Sequence, residues 1–211
     1  MARKQNPSTK PSLLDAALIV IRSKGYAATT VDDICTEAGL SKGAFFHHFS
    51  SKEDLAVAAA NYWSETTSAV FVAAPYHKST DPLDRVLAYV AFRKELIRGT
   101  LPEFTCLIGT MAQETYGTSS AIQKACWESI VGHAGTLVAD IKAAIEQYGA
   151  RRDFTAESLA LHTQAVIQGA FILAKASGDT QRAAESIDHL YRYVELLFNR
   201  KTVIQTDSAR L

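Results

Sequence analysis

Residues 39–55 read GLSKGAFFHHFSSKEDL. The stretch crowds three phenylalanines, two adjacent histidines and two lysines among glycines and serines. It is too polar for a core segment and too aromatic for a plain surface loop. Ser41 and Ser51 are both N-cap types, so a helix begun at Ser41 can run only to about His48. On that helix Phe45 and Phe49 are i, i+4 neighbours and, with Leu40, can reach the faces of whatever precedes it. Lys42, Gly43, Phe46 and His47 fall on the opposite side. A short helix held by one aromatic edge thus offers a cation, a bare backbone, a ring and an imidazole.

Two short helices precede it. Ser12 caps the first, with Pro11 before it and Asp15 three residues on. Leu14, Ala17, Leu18 and Ile21 line one face, and Gly25 stops it. Thr30 opens the second with Asp33 at the capping-box position; Val31, Ile34, Cys35 and Ala38 form its stripe, and Gly39 ends it. Ser51, with Asp54, opens a longer helix to about Ala74 through Leu55, Ala59, Tyr62, Trp63 and Val70. After a polar break from Pro75 to Pro82, helices are predicted over 82–99, 104–116, 119–148, 155–177 and 180–199, with Gly99, Pro102, Gly117, Gly149 and Gly178 near the junctions. Strand-like alternation is absent, so the chain reads as all-α. Its divisions are a mobile basic arm (1–11), a three-helix unit (12–50), a connecting helix (51–74), a larger helical domain (75–200) and a loose tail (201–211).

Lys plus Arg equals Asp plus Glu at 22 each in 211 residues, so no global field recruits nucleic acid or a membrane. The 47% hydrophobic content is enough for a sizeable core. No apolar run has the length of a membrane span, and the start lacks a signal-peptide core, which points to a cytoplasmic protein with no membrane partner. Cys35, Cys106 and Cys126 are an odd set without a CxxC pair, which favours buried reduced thiols over disulfides or zinc. GxSxG, HExxH, P-loop and GxGxxG motifs are all missing. Glu114, His133 and His162 show no short metal-ligand spacing. No enzyme, catalytic residue, metal or cofactor is expected.

The outward face of the 42–48 helix suits the major groove of DNA, where a recognition helix must be free of bulk near its start. Gly43 permits close approach, and Lys42 can meet guanine acceptors or a phosphate. Ser41 and the N–H groups it leaves at the helix start can face phosphate oxygens. Lys52 lies in a first helical turn, where a cation opposes the helix dipole, and this suggests a phosphate partner. Through Ala60 the chain carries seven Lys/Arg against six Asp/Glu, so the face must be positive, helped by Arg3, Lys4 and Lys10. One such helix binds weakly; useful specificity needs two half-sites, hence a homodimer on an operator.

The frame AA.....GY..TTV..I...AGLSKG..F.HF.SKE.L, spread over 16–55, resembles the DNA-binding domain of the TetR/AcrR family of bacterial transcriptional regulators. The resemblance implies a helix-turn-helix within 12–50. It places Lys42, Gly43, Ala44 and His47 near bases, and Thr30, Phe46, His48 and Lys52 at or near the phosphate backbone. Phe46 departs from the pattern. Members usually carry Tyr there, whose hydroxyl can bind a phosphate, whereas Phe can only press on sugars or a thymine methyl.

The second part mixes large apolar groups with polar ones, as an apolar cavity with a few orienting groups would require. Pocket candidates are Trp63, Tyr89, Phe92, Phe104, Cys106, Met111, Trp127, Gln168 and Phe171, and the partner they imply is an unidentified, partly apolar small-molecule effector. Gly169, Ala170 and Ala174, with Tyr191, Val194 and Phe198 on the last helix, are candidates for a twofold four-helix dimer interface. The resemblance implies a repressor released from a palindromic operator when the effector splays its two DNA-binding units, with the 52–74 helix as lever. A transcriptional activator, and a small-molecule-binding protein whose DNA-binding domain has lapsed, are the alternatives.

Overall fold

In the computed structural model, which describes residues 9–149 and 153–199, local capping signals set most helix starts. Helix α1 spans Thr9–Lys24, α2 Val31–Ala38, α3 Lys42–His48 and α4 Lys52–Val72. A 3-10 turn over Pro75–Lys78 leads to α5 (Pro82–Glu95), α6 (Leu101–Phe104), α7 (Leu107–Thr115), α8 (Ser120–Tyr148), α9 (Ala156–Ser177) and α10 (Gln181–Leu197). Among the described residues there is no strand. Thr30, Ser41, Ser51, Ser119 and Thr155 each accept a hydrogen bond from a backbone N–H of the first turn they cap.

Three expectations about helix limits change. Helix α1 begins at Thr9, ahead of Ser12, so Lys10 belongs to the helix and Pro11 falls in its first turn, where a missing N–H costs nothing. The rest of the predicted arm (1–8) and the tail (201–211) lie outside the described residues. Helix α5 stops at Glu95, ahead of Gly99 at φ +79°. The helix predicted over 104–116 is instead two pieces. Thr100 and Glu103 form a capping box around Pro102 for α6, and the extended Thr105 and Cys106 (ψ 156° and 125°) break the chain before α7.

The apolar faces gather into two clusters. One joins Leu13, Leu14, Ala17 and Ile21 of α1 with Ile34, Phe45, Phe49 and Leu55, and it is completed by Leu107, Ile108 and Met111 of α7 and by Ile122 and Cys126 of α8. The other is built by α5, α8, α9 and α10 around Leu83, Tyr89, Leu137, Ile167, Ile187 and Val194. Helix α4 runs alongside α8, and Ser64 donates to or accepts from Ser129 at 2.7 Å between them. The Ser119 hydroxyl also donates to the Glu53 carboxylate, tying the starts of α8 and α4 together.

Phe45 has no exposed surface, and its ring centre lies 5.7 Å from that of Phe49, which is also buried. Truncating it removes the anchor of a seven-residue helix. Phe45→Ala should cost about 3–5 kcal/mol of unfolding free energy in urea titrations. Phe46→Ala, on the solvent side, should leave the midpoint within experimental error.

Candidate nucleic-acid interface and ligand cavity

The turn between α2 and α3 is defined by backbone chemistry. Gly39 adopts φ +64°, and the N–H groups of Gly39 and Leu40 donate to Thr36 and Cys35 carbonyls at 3.1 and 2.8 Å. At the other end of α2 the Thr30 N–H and hydroxyl both donate to Asp33, which also meets Lys24 at 2.6 Å. The Lys24 ammonium, then the Thr30 donors, hold the Asp33 carboxyl well below the usual carboxylate range. Thr30 therefore serves first as a cap.

Helix α3 presents the two sides its spacing implies. Phe45 and Phe49 are buried, while Lys42, Gly43, Phe46 and His47 are exposed and Ala44 and His48 half-buried. Lys42 pairs with Asp32 at 2.8 Å, and that bond raises the lysine's pKa. A Cβ added at Gly43 would meet only Ser41 Oγ, at 3.7 Å. The protein has room for a side chain there, so its bareness serves no internal packing need.

Lys52 has partners within the protein. Its ammonium donates to the Tyr26 and Thr29 carbonyls at 3.0 and 2.9 Å and lies 4.3 Å from the centre of the Tyr26 ring. A cation in the first turn of α4 is thus explained by the loop it ties down, and its helix position no longer argues for a phosphate. Glu114, His133 and His162 are engaged apart from one another: Glu114 accepts from the Ala27 N–H at 2.6 Å, His133 meets Tyr89, and the His162 ring packs at a tilt against Tyr193. Among the described residues no cluster of three His, Cys, Asp or Glu could hold a metal.

Between the two clusters lies a cavity of about 630 Å³. Of the predicted pocket residues it brings together Trp63, Phe104, Cys106, Gln168 and Phe171. The other four lie elsewhere. Met111 is fully buried in the first cluster and Trp127 is an exposed residue on α8, because the helical period at these positions points away from the cavity. Tyr89 and Phe92 pack behind the lining in the second cluster. A smaller hollow of about 400 Å³ adjoins it through Cys106, Gln168 and Phe171. Gln168 packs against Gly109, where a Cβ would sit 2.2 Å from the Gln168 carboxamide oxygen, so that glycine makes room for it.

Two cations of the lining, Arg22 and Arg93, had no signal in the sequence. Arg22 of α1 reaches the cavity from the first helix, donating to the Leu18 and Glu103 carbonyls at 2.9 and 3.1 Å with its guanidinium 5.1 Å from the Trp63 ring centre. Burial lowers its pKa. His133 and Arg93 line the cavity as well. The Gln164 amide donates to Tyr89 Oη at 2.9 Å, and Tyr89 Oη lies 2.9 Å from His133 Nε2. Burial, then the Arg93 charge, push the His133 pKa down to about 3. The imidazole is neutral, and Nε2, facing two donors, is its acceptor nitrogen.

On α9 and α10 the candidate interface residues mostly face inward. Ala170, Ala174, Val194 and Phe198 belong to the monomer core, and Tyr191 is half-buried. The outer face carries Leu161, Ile172, Leu173, Tyr193 and Leu196, the last 73% exposed, with open space above Gly169. The two helices do offer an apolar surface, but rotated from the one their strongest stripes suggest.

The family model described as bacterial regulatory proteins, tetR family, matches residues 13–59. A second, the C-terminal domain of LmrA/YxaF-like transcriptional regulators, matches 82–184. The chain belongs to the TetR/AcrR family of transcriptional regulators. Its members typically act as ligand-responsive homodimeric repressors, and they are not enzymes. The HTH-type regulator YerO of Bacillus subtilis is 43% identical over 26% of this chain and 19% of its own length. The chain spans about a fifth to a quarter of the length of the first curated relatives it matches. Regulatory protein TetR from Rhodobacter sphaeroides superposes with a TM-score of 0.77 at 22% identity, covering 88% of this chain and 98% of that one. A TetR regulator from Chloroflexus aurantiacus does so at 0.74 and 26%, covering 89% and 94%.

His133 makes acid stability a test of this cavity wall. Its pKa is depressed from an ordinary 6.5 in the folded state, so below pH 6.5 the unfolded chain binds a proton that the folded chain refuses. The contribution is complete above pH 6.5 and is lost as pH falls toward 3, with a slope of at most about 1.4 kcal/mol per pH unit. Urea midpoints between pH 7 and 4 should fall more steeply for the parent chain than for His133→Gln.

Proposed function

We propose that this chain is a homodimeric repressor that reads a palindromic DNA operator with α3 and releases it when a small molecule occupies the cavity. The observation that carries the reading is Gly43: an exposed, unencumbered backbone on a helix whose opposite edge is buried. In this reading Lys42, Gly43, Ala44 and His47 approach bases, while Thr30, Ser41, Phe46 and His48 lie along the backbone. Lys42 exchanges Asp32 for the DNA, at little cost because both side chains are exposed. Lys52 acts by holding the 26–29 turn. Helices α1–α3 form the reading unit, α4 the connection, and α5–α10 the effector and dimer unit.

The apolar face of Leu161, Ile172, Leu173, Tyr193 and Leu196 supplies the dimer contact, two helices from each copy. Arg22 supplies the coupling. It lines the cavity, lies over Trp63 and binds the last turn of α6, while its backbone belongs to α1. An effector that displaces Trp63 or α6 moves α1, and with it the spacing of the two recognition helices; such coupling typically amounts to about 1–3 kcal/mol. Among the described residues no helix is long and apolar enough to cross a membrane. The reading puts the protein in the cytoplasm, with the DNA.

Selection from a random duplex pool at about 150 mM salt should enrich an inverted repeat. Gly43→Leu should abolish enrichment while leaving the thermal melt close to that of the parent. Enrichment that survives Gly43→Leu would remove α3 as the reading helix. In sedimentation the parent should run at twice the 23.0 kDa chain mass, and Ile172→Glu with Leu196→Glu should run as a folded monomer.

A further inference from the structure

The cavity wall holds a cation with no carboxylate against it. Arg93 projects from α5 and lines the cavity, and among the described residues no ion pair includes it. Two acids also line the cavity, but both are engaged elsewhere. Glu103 accepts from the Thr100 N–H and hydroxyl at 2.5 and 2.8 Å, and Glu128 faces Lys124 at 3.8 Å.

Neutral groups hold Arg93 in place. Its Nη1 donates to Tyr89 Oη at 3.3 Å and meets His133 Nε2 at 3.1 Å, and the guanidinium lies 5.3 Å from the Phe71 ring centre. Tyr89 is fixed in turn by Gln164 at 2.9 Å. None of these partners carries a charge: the imidazole is neutral and the others are a phenol, an amide and a ring. A half-buried guanidinium without a counter-charge is costly, and a bound oxyanion offsets that cost. With Nη1 committed to the wall, Nε and Nη2 carry no hydrogen bond among the described residues, and a guanidinium edge matches two oxygens of one anion. The same lining holds four aromatic side chains, Trp63, Phe71, Phe104 and Phe171, among aliphatic and hydroxyl groups.

We propose that the effector is an apolar organic acid, its oxyanion held by Arg93 and its body packed among Phe71, Phe104, Phe171 and Trp63. This rests on the cavity being the effector site. Arg93 then selects acids over neutral molecules of the same shape, and Gln164, Tyr89 and His133 position it.

Two fluorescent probes with one phenylamino-naphthalene body separate these claims: 1-anilinonaphthalene-8-sulfonate carries an anion, and N-phenyl-1-naphthylamine does not. The full chain with Trp127→Phe leaves Trp63 as the sole tryptophan of the two, and quenching of its emission reports a probe in the cavity. The sulfonate should bind at least about tenfold more tightly than the neutral probe, the scale of one charged hydrogen-bonded contact. Arg93→Met should remove that preference while leaving the neutral probe within about twofold. The parent ratio and Arg93→Lys, which keeps the charge and should retain part of the preference, serve if the methionine variant does not fold. Equal affinity for the two probes, or a preference for the sulfonate that survives Arg93→Met, overturns the proposal and leaves the effector cavity standing. If neither probe quenches Trp63, the cavity itself is lost as an effector site and the proposal falls with it.

Discussion

A helix of seven residues cannot hold itself in water, because nucleation costs more than so few internal hydrogen bonds return. The position of α3 is therefore imposed from outside, by the burial of Phe45 and Phe49 against α1 and α2. Everything on its outward face inherits that placement. The capping box at Thr30, the left-handed Gly39 and the Lys52 clamp on the 26–29 carbonyls each remove one way for the unit to shift. The face presented to a partner is accordingly rigid, although none of its own residues makes it so.

The same cluster does not end with the first four helices. Leu107, Ile108 and Met111 of α7, with Ile122 of α8, finish a core that α1–α3 could not close alone. Ile108 and Cys106 border the cavity as well. A change of volume inside the cavity is thus applied to side chains within or next to the packing of the N-terminal unit. Close-packed interiors transmit such a change instead of absorbing it. Arg22 adds a polar route beside the apolar one, since it touches Trp63, α6 and its own helix at once.

The C-terminal half shows a different economy. Gln164 is a buried polar side chain in an apolar cluster, and it is tolerated because its amide meets Tyr89 and Tyr89 meets His133. A chain of this kind is high-stakes: satisfied, it sets one geometry, and each deletion strands the next member. Here it ends on Arg93 at the cavity surface. The packing behind the wall and the charge on it are parts of one arrangement.

Most helix starts and the two sides of α3 were legible in the sequence because their causes are local: a hydroxyl or carboxylate three residues from an N–H, a glycine at positive φ, an aromatic pair at i, i+4. What lies opposite each face was not. Met111 and Trp127 look alike as apolar helical residues, yet one is buried in the first cluster and the other sits in solvent. Ala170 and Val194 suggested an interface and proved to be core, while Leu196 and Ile172, on weaker stripes, face outward. Lys52 read as a phosphate contact and Arg22 and Arg93 gave no signal, yet each meets groups far away in the chain: Tyr26, Glu103 and His133. Spacing within a few residues was enough to read most helix starts and the apolar edge of α3. Which faces meet core, cavity or water was set by packing, because a helical period specifies a direction around its own axis and says nothing of the neighbour found there.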